Sequence, residues 1–323
     1  MRSAAVVGTG LIGTSIALAL RGRGVTTYLI DTDPEAARTA AGLGAGLAGR
    51  PRERVELAVL AMPPQYVAAA LREHQLAELA ADFTDAASVK EPPQQEAARL
   101  GCDLTRFVGG HPMGGREQSG PLAARDDLFH GRPWVLTPSP QTRPQTFERA
   151  RELAELCGAR PVVMGQAEHD RAVALTSHAP HMVSTLLAAR LLHGEPSQLA
   201  LAGQGLADVT RLAGGNADLW TDILGSNAVA VADVLTEFGR ELHQVVDALR
   251  GLGAAGEPEQ RRPHADRLST ALVRGIQGRA RIPARTTGPA VGAGPAPGTD
   301  PALGTGPAPG TGPALATAQG GPR

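Results

Sequence analysis

The chain has 323 residues, which is enough for two domains with sizeable cores. Its 31 Lys and Arg nearly balance its 32 Asp and Glu, and aromatic residues make up 3% of the total, so no basic stripe with interleaved aromatics indicates nucleic-acid binding. The two cysteines, Cys102 and Cys157, form no CxxC pair, which argues against a disulfide framework. No apolar run reaches membrane-spanning length, and the residues before the first predicted strand are too few for a signal peptide. We therefore expect a cytoplasmic protein that contacts neither nucleic acid nor membrane.

A glycine motif follows the first predicted strand. Residues 4–7 form an apolar run, a GxGxxG pattern comes next, residues 14–20 have a helical pattern, and a second strand at 27–30 ends in Asp31. The order of strand, glycines, helix, strand and acid is the fingerprint of a dinucleotide site, and a chance match in a glycine-rich chain rarely reproduces it. Backbone N–H groups at the helix N-terminus would bind the pyrophosphate. The predicted cofactor-binding residues are Gly8, Thr9, Gly10, Leu11, Ile12, Gly13 and Asp31.

The acid decides which dinucleotide we expect. The Asp31 carboxylate would accept hydrogen bonds from the adenosine ribose, and it would repel a 2′-phosphate. The sequence therefore predicts NAD in preference to NADP.

Strand and helix patterns alternate as far as residue 165. This alternation predicts a Rossmann-type doubly wound parallel sheet, the NAD-binding domain, over residues 1–165. Ligands of such sheets bind at the carboxyl ends of the strands. Ser88 and His111 both fall at predicted strand ends, so we expect them in one crevice with the glycine motif.

His111 is the strongest candidate for chemistry. It lies between two glycine pairs, directly after the apolar residues Phe107 and Val108. A histidine in that setting is poorly placed for core packing and well placed to meet a small ligand, although a turn residue with no chemical role is the alternative.

Residues 166–278 read as helices, which predicts an all-helical domain for substrate binding and dimerisation. A long helix over 166–192 places His178 and His181 on one face, and Pro180 is expected to kink it there. Packing alone also explains such histidines, and that alternative stays open. Their spacing and the absence of nearby Cys or partner carboxylates do not favour a metal site. Residues 279–323 are almost wholly Gly, Pro, Ala and Thr and predict a disordered tail.

Dispersed motifs over roughly residues 1–250 resemble those of the prephenate/arogenate dehydrogenase family of tyrosine biosynthesis. They occur in the family's order, the GGHPMGG block is the most specific, and Gly114 replaces a common alanine. The motifs are GTGLIG at 8–13, SVK at 88–90, GGHPMGG at 109–115 with Glu117 and Ser119-Gly120, His169-Asp170, SHAPH at 177–181, DVTR at 208–211, and Leu219-Trp220 followed by Asn227.

The resemblance implies an oxidative decarboxylation of a cyclohexadienol, in which hydride passes to NAD and the ring loses CO2 as it becomes aromatic. It implies that His111 accepts the proton of the substrate hydroxyl, and that Ser88 hydrogen-bonds and orients the ring of His111. Arg211 would bind a substrate carboxylate. His178, His181 and Glu117 would complete the substrate pocket. A helix-end charge for Arg211 and a solvated surface position for Glu117 are the alternatives.

Prephenate is the expected substrate, and arogenate is the alternative. A β-hydroxyacid or imine-type dehydrogenase shares the expected architecture but relies on a lysine or aspartate on the first long helix of its second domain, where this chain has histidines. A non-catalytic NAD-sensing protein is a further alternative. By analogy with other two-domain dehydrogenases, we expect a homodimer.

Overall fold

The structure, a computed structural model, describes residues 1–114 and 120–282. An eight-stranded sheet in the order β3-β2-β1-β4-β5-β6-β7-β8 forms the first part of the chain. Its strands are β1 Ser3–Val7, β2 Thr26–Ile30, β3 Leu47–Ala48, β4 Val55–Leu60, β5 Ala80–Asp85, β6 Phe107–Pro112, β7 Pro133–Thr137 and β8 Arg160–Val163. Helices on both faces connect them: α1 Leu11–Gly22, α2 Pro34–Gly42, α3 Pro64–Leu76, α4 Glu91–Arg99 and α5 Pro144–Leu156.

Alternation along the central strands gives the sheet two apolar faces. In β1, Ala4 and Val6 pack in one core cluster, whereas Ala5 and Val7 pack in the other. Because successive side chains of a strand point to opposite faces, a fully apolar run of this kind requires cover on both sides. Helices α1 and α5 supply it on one face, and α3 and α4 supply it on the other. The predicted doubly wound sheet is confirmed.

The remaining described residues form helices. They are α6 Gln166–Val173, α7 Ala179–Arg190, α8 Pro196–Leu199, α9 Gln204–Thr210, α10 Ala217–Ser226, α11 Ala228–Ala254 and α12 Pro258–Ala280. This confirms the predicted helical part after the sheet. The division of the chain at residues 165 and 278 remains a prediction, because the described residues from Met1 to Ile282 belong to one compact unit.

A turn of π-helix, Ala174–His178, joins α6 to α7. The sequence predicted one helix over 166–192 with a kink at Pro180. Proline lacks a backbone donor, and the wider π turn, closed by the bond from Ala179 N to Ala174 O, lies directly before it. The regular α-helix is thus interrupted by a π turn, which accommodates one extra residue before the proline.

Helix α2 ends at Gly42, because Gly44 takes a φ of +81° and the chain then enters β3. The sheet departs from the expected parallel arrangement at one strand. Strand β7 pairs antiparallel with β6, whereas the other neighbours in the sheet are parallel. A parallel partner would need a crossover, and the described part of the connection after β6 holds only the short 3₁₀ turn Pro121–Ala123. The helical run around Trp220 and Val231 breaks at Asn227.

No helix within the two described segments is long and apolar enough to cross a membrane. From residue 283 onward the predicted tail lies outside the described residues.

Candidate active site

The glycines after β1 form a tight cradle. Gly8 has a φ of +96°, and a Cβ there would lie 2.2 Å from the carbonyl oxygen of Ala61 on the neighbouring strand end. A Cβ on Gly13 would lie 1.9 Å from the carbonyl oxygen of Gly8, whereas one on Gly10 would meet nothing within 4 Å. Gly8 and Gly13 are therefore required by the fold itself. Gly10 leaves open space at the surface of the cradle.

Helix α1 starts from this cradle with its N-terminus uncapped. Its N-cap residue, Gly10, offers no side-chain acceptor, and its first turn contains no acidic residue. The first N–H groups of a helix have no partner within the helix, and together with the positive end of the helix dipole they bind phosphate well. The cradle and the open helix end fit the pyrophosphate of a dinucleotide.

Asp31, directly after β2, is held beside the cradle. Its Oδ2 accepts hydrogen bonds from Thr9 N at 2.6 Å and Thr9 Oγ1 at 2.8 Å, and its Oδ1 accepts one from Asp33 N at 2.9 Å. Burial raises the pKa of Asp31, but these hydrogen bonds outweigh burial and lower it overall. The carboxylate is therefore ionised near neutral pH and retains lone pairs for ribose hydroxyls.

His111 lies on β6, next to two glycines that the packing demands. A Cβ on Gly109 would lie 2.4 Å from Thr137 Oγ1, and one on Gly110 would lie 2.5 Å from the carbonyl oxygen of Asp85. Hence the glycines before His111 let β6 pack closely against its neighbours. His111 itself is only half-buried.

A buried ion pair fixes the backbone beside His111. Lys90 Nζ pairs with Asp85 Oδ2, and these side chains are 1% and 2% exposed. Lys90 Nζ also donates to Gly110 O, and Asp85 Oδ1 accepts from Gly110 N at 2.7 Å. The pair therefore binds the donor and the acceptor of one peptide residue, which sets the position of the histidine that follows.

The His111 ring is held by a second histidine. His111 Nδ1 lies 2.8 Å from Nε2 of His169, a fully buried residue of α6. His169 Nδ1 lies 2.7 Å from Asp170 Oδ1. The Asp170 carboxylate also accepts from Lys90 N at 2.8 Å and from Glu91 N at 2.9 Å, where it caps the start of α4.

The expected hydrogen bond from Ser88 to His111 is absent. Ser88 Oγ is buried and has no hydrogen-bond partner in the structure. β5 ends at Asp85, so Ser88 lies in the loop beyond the strand, and His169 occupies Nδ1 of His111 instead. That prediction is corrected: among the described residues, the side chain that His111 Nδ1 contacts is His169.

His178 and His181 lie together near Trp220. The His181 ring stacks on Trp220 with ring centroids 3.5 Å apart, and His178 meets the same indole edge-on at 6.3 Å. Asn227 Nδ2 donates to the Asp170 carbonyl at 2.8 Å and lies 3.1 Å from His178 Nδ1. Asn227 thus joins the His178 cluster to the His111–His169–Asp170 chain.

The roles predicted for Arg211 and Glu117 remain predictions. Arg211 follows α9 as an exposed residue at the start of the 3₁₀ turn Arg211–Gly214. Glu117 lies outside the described residues, so its predicted place in the pocket stays a prediction.

The histidines of the site favour the neutral form. Burial, reinforced by the neighbouring His169, Lys90 and His178, holds the pKa of His111 well below its usual value. Burial lowers the pKa of His178 to about 4 despite the attraction of Asp170. Burial also lowers the pKa of His181. At neutral pH, His111, His178 and His181 are therefore uncharged imidazoles that can accept protons.

Sequence reasoning assigned no site role to Asp85, Lys90, His169, Asp170 or Asn227, which the structure places in this network. The adjacent His169 and Asp170 pair was visible as a motif. Its contact with His111 joins residues that are 58 positions apart and depends on how α6 docks against the sheet.

A phosphate-binding cradle after β1 and a neutral histidine on β6, at the same end of the sheet, define a dinucleotide-dependent dehydrogenase of the Rossmann type with a helical second part. Comparison with known proteins narrows this class. Residues 16–163 match the family model for the prephenate dehydrogenase nucleotide-binding domain, and residues 166–262 match the prephenate dehydrogenase dimerization domain.

Individual relatives agree. The chain is 46% identical over 290 residues to the probable prephenate dehydrogenase NovF of Streptomyces niveus, covering 88% of this chain and 78% of that protein. It superposes on prephenate dehydrogenase from A. aeolicus, solved with hydroxyphenyl propionate and NAD+, with a TM-score of 0.76 at 25% identity, covering 88% of this chain and 99% of that one. For the Synechocystis arogenate dehydrogenase the TM-score is 0.70 at 28% identity, covering 86% and 99%. The chain belongs to the prephenate dehydrogenase family.

Alanine substitutions of two cradle glycines should affect different properties, stability in one case and NAD binding in the other. Gly13→Ala places its Cβ against the Gly8 carbonyl and should lower the melting temperature. Gly10→Ala meets no atom within 4 Å, so it should melt like the wild type but bind NAD more weakly, because the methyl group lies where the backbone would approach the pyrophosphate. Thermal melts and NAD titrations by fluorescence measure the two effects. Equal losses of stability in both variants would contradict this assignment.

Acid should destabilise the fold through its buried histidines. A pKa of about 4 for His178 in the folded state lies below the unfolded value of about 6.5, so the unfolded state binds more protons between these values. The free energy of unfolding should therefore fall as the pH drops from 6.5 towards 4, and His178→Gln should make that fall shallower. Urea unfolding at several pH values measures it, with replacement of the exposed His243 by Gln as the control. The same flattening in both variants would refute the assignment to His178.

Proposed function

We propose that this chain catalyses the NAD-dependent oxidative decarboxylation of prephenate to 4-hydroxyphenylpyruvate, a step in tyrosine biosynthesis. The observation that carries the proposal is a neutral His111 on β6, held through His169 and Asp170 near the glycine cradle, in a chain of the prephenate dehydrogenase family. When bound, NAD accepts hydride from the ring carbon that carries the substrate hydroxyl. The protein then has to orient the substrate and remove one proton.

His111 removes that proton. Its Nδ1 faces His169, so Nε2 is the nitrogen left to receive the proton of the substrate hydroxyl. Because its pKa is lowered, the imidazole is unprotonated at neutral pH and needs no prior deprotonation. As the carbonyl forms and CO2 leaves, the ring becomes aromatic, which makes the reaction strongly favourable.

Other side chains orient the substrate. The unpaired Ser88 hydroxyl, buried in the loop after β5, is available to donate to the substrate hydroxyl. Arg211 offers a planar guanidinium that matches a carboxylate. His178 and His181, which contact Trp220, would bind the substrate side chain, and the sequence predicts the same role for Glu117.

Arogenate is the second candidate substrate, supported by the likeness to the Synechocystis arogenate dehydrogenase. The two substrates differ by a keto or an amino group on the side chain, so a few pocket contacts decide between them. Of the other classes, a β-hydroxyacid dehydrogenase is disfavoured by the match of both parts of the chain to prephenate dehydrogenase family models, and a non-catalytic NAD-binding protein would have no use for a base held in this way.

A homodimer in the cytoplasm completes the proposal. The match to a dimerization domain supports the dimer, as do the exposed apolar side chains on the last two helices. These side chains are Phe238, Leu242 and Leu249 on α11, and Leu272, Val273 and Ile276 on α12. Two free cysteines, Cys102 and Cys157, support a reducing compartment.

The direct experiment follows NADH formation by purified protein with prephenate or arogenate, and with NAD or NADP. We expect turnover of prephenate with NAD, and weaker activity with NADP because of the Asp31 carboxylate. Activity with arogenate alone would establish the second candidate. Activity with neither, together with oxidation of a β-hydroxyacid, would refute the proposal.

His111→Asn should lower kcat by about 10²–10⁴-fold, the range for loss of a general base. KM should change much less, since binding does not depend on proton transfer. Steady-state kinetics measure both values, and thermal melts with NAD titration confirm that the variant is folded. Near-normal turnover would remove His111 from the role of proton acceptor.

Arg211→Ala should raise KM by about 10–100-fold, the equivalent of one charge-assisted hydrogen-bonded contact. Arg211→Lys should lie between the wild type and Ala, because it keeps the charge but loses the planar fork. Ala at Arg240, an exposed arginine of α11, is the matched control. An unchanged KM in Arg211→Ala would exclude Arg211 from the substrate site.

A further inference from the structure

We infer that His169 is a positioning residue, which fixes the tautomer and the orientation of His111 through a hydrogen-bonded chain that ends on Asp170. The inference rests on the proposed role of His111 as proton acceptor. It assigns a function to two residues of α6 that belong to neither the cofactor cradle nor the predicted substrate contacts.

The direction of the chain follows from its fixed end. The Asp170 carboxylate can only accept, so His169 Nδ1, 2.7 Å from Oδ1, must donate. A neutral imidazole that donates from Nδ1 accepts at Nε2. His111 Nδ1, 2.8 Å from that nitrogen, must therefore carry a proton, which leaves the lone pair of His111 on Nε2.

The fixed end cannot easily reorganise. Asp170 Oδ1 and Oδ2 accept from Lys90 N and Glu91 N at the start of α4, and Asn227 Nδ2 donates to the Asp170 carbonyl. His169 is fully buried, so its ring has no space to flip into solvent. Rotation of the acid would leave two backbone N–H groups without partners, and rotation of the ring would break its hydrogen bonds to Asp170 and His111.

The same chain offsets the charge that His111 acquires. Burial and the nearby charge of Lys90 disfavour a protonated His111, and Asp85 is already paired with Lys90. When Nε2 takes the substrate proton, the hydrogen bond from Nδ1 to His169 Nε2 becomes charge-assisted and strengthens. The Asp170 carboxylate then faces a two-ring system that shares one positive charge.

Two substitutions at position 169 separate positioning from bulk packing. His169→Gln keeps a carbonyl acceptor near the place of Nε2, whereas His169→Leu fills the space without an acceptor. In ¹⁵N-histidine NMR spectra, His111 should carry its proton on Nδ1 in the wild type and in His169→Gln. In His169→Leu the His111 tautomer should shift towards Nε2–H. The kcat of His169→Leu should fall by about 10²–10⁴-fold and that of His169→Gln much less, with little change in KM in either variant.

The pH profile provides a readout that a purely structural role would not change. In His169→Leu the acid limb of kcat should move, because His111 loses the hydrogen bond that supports its protonated form. Wild-type kcat, an unmoved profile and an unchanged His111 tautomer in a folded His169→Leu would overturn the inference. So would equal loss of kcat and of melting temperature in both variants, which would indicate packing alone.

The NMR measurement keeps this test separate from the proposed function. If the wild type oxidises neither prephenate nor arogenate, the proposed substrate is wrong, yet the His111 tautomer in wild type and variants still decides whether His169 positions the ring. Wild-type activity combined with an Nε2–H tautomer of His111 would instead refute the positioning role alone.

Discussion

The arrangement of the site depends on the hydrogen bonds that the Asp170 carboxylate accepts. It caps the start of α4 through Lys90 N and Glu91 N and accepts from His169 on its own helix. One side chain thereby attaches the helical part to the sheet and sets the ring that holds His111. Because the Asp170 carbonyl also accepts from Asn227, the junction of α10 and α11 is tied to the same point. Any motion of α6 relative to α4 must disturb the histidine chain.

The buried ion pair of Lys90 and Asp85 fixes the backbone next to His111. Two ionised groups away from water are stable only when their remaining donors and acceptors are satisfied, and here both groups bind Gly110. A residue larger than glycine at that position would collide with Asp85 O and Thr84 Oγ1. The glycines before His111 therefore serve the close packing of β6, and the histidine gains a fixed place as a result.

Local patterns were sufficient for much of the fold. The cradle and the alternation of strands and helices depend on residues close in sequence, and both are present. The antiparallel β7 and the His169 contact with His111 depend on long-range pairing, which periodicity does not encode. Ser88 shows the limit most clearly. The strand ends three residues earlier than the apolar pattern indicated, and this places a different partner on the His111 ring.

The π turn Ala174–His178 acts as a phase shift in the helix. An α-helix turns by about 100° per residue, so one residue accommodated in a wider turn changes the direction in which all later side chains point. His169 faces His111 before the shift, and His181 faces Trp220 after it. Deletion of one residue from this turn would leave the sequence of α7 unchanged, yet it would rotate α7 about its axis by roughly a quarter of a turn relative to α6. The alignment of the two histidine groups is therefore set by the number of residues between them as much as by their identity.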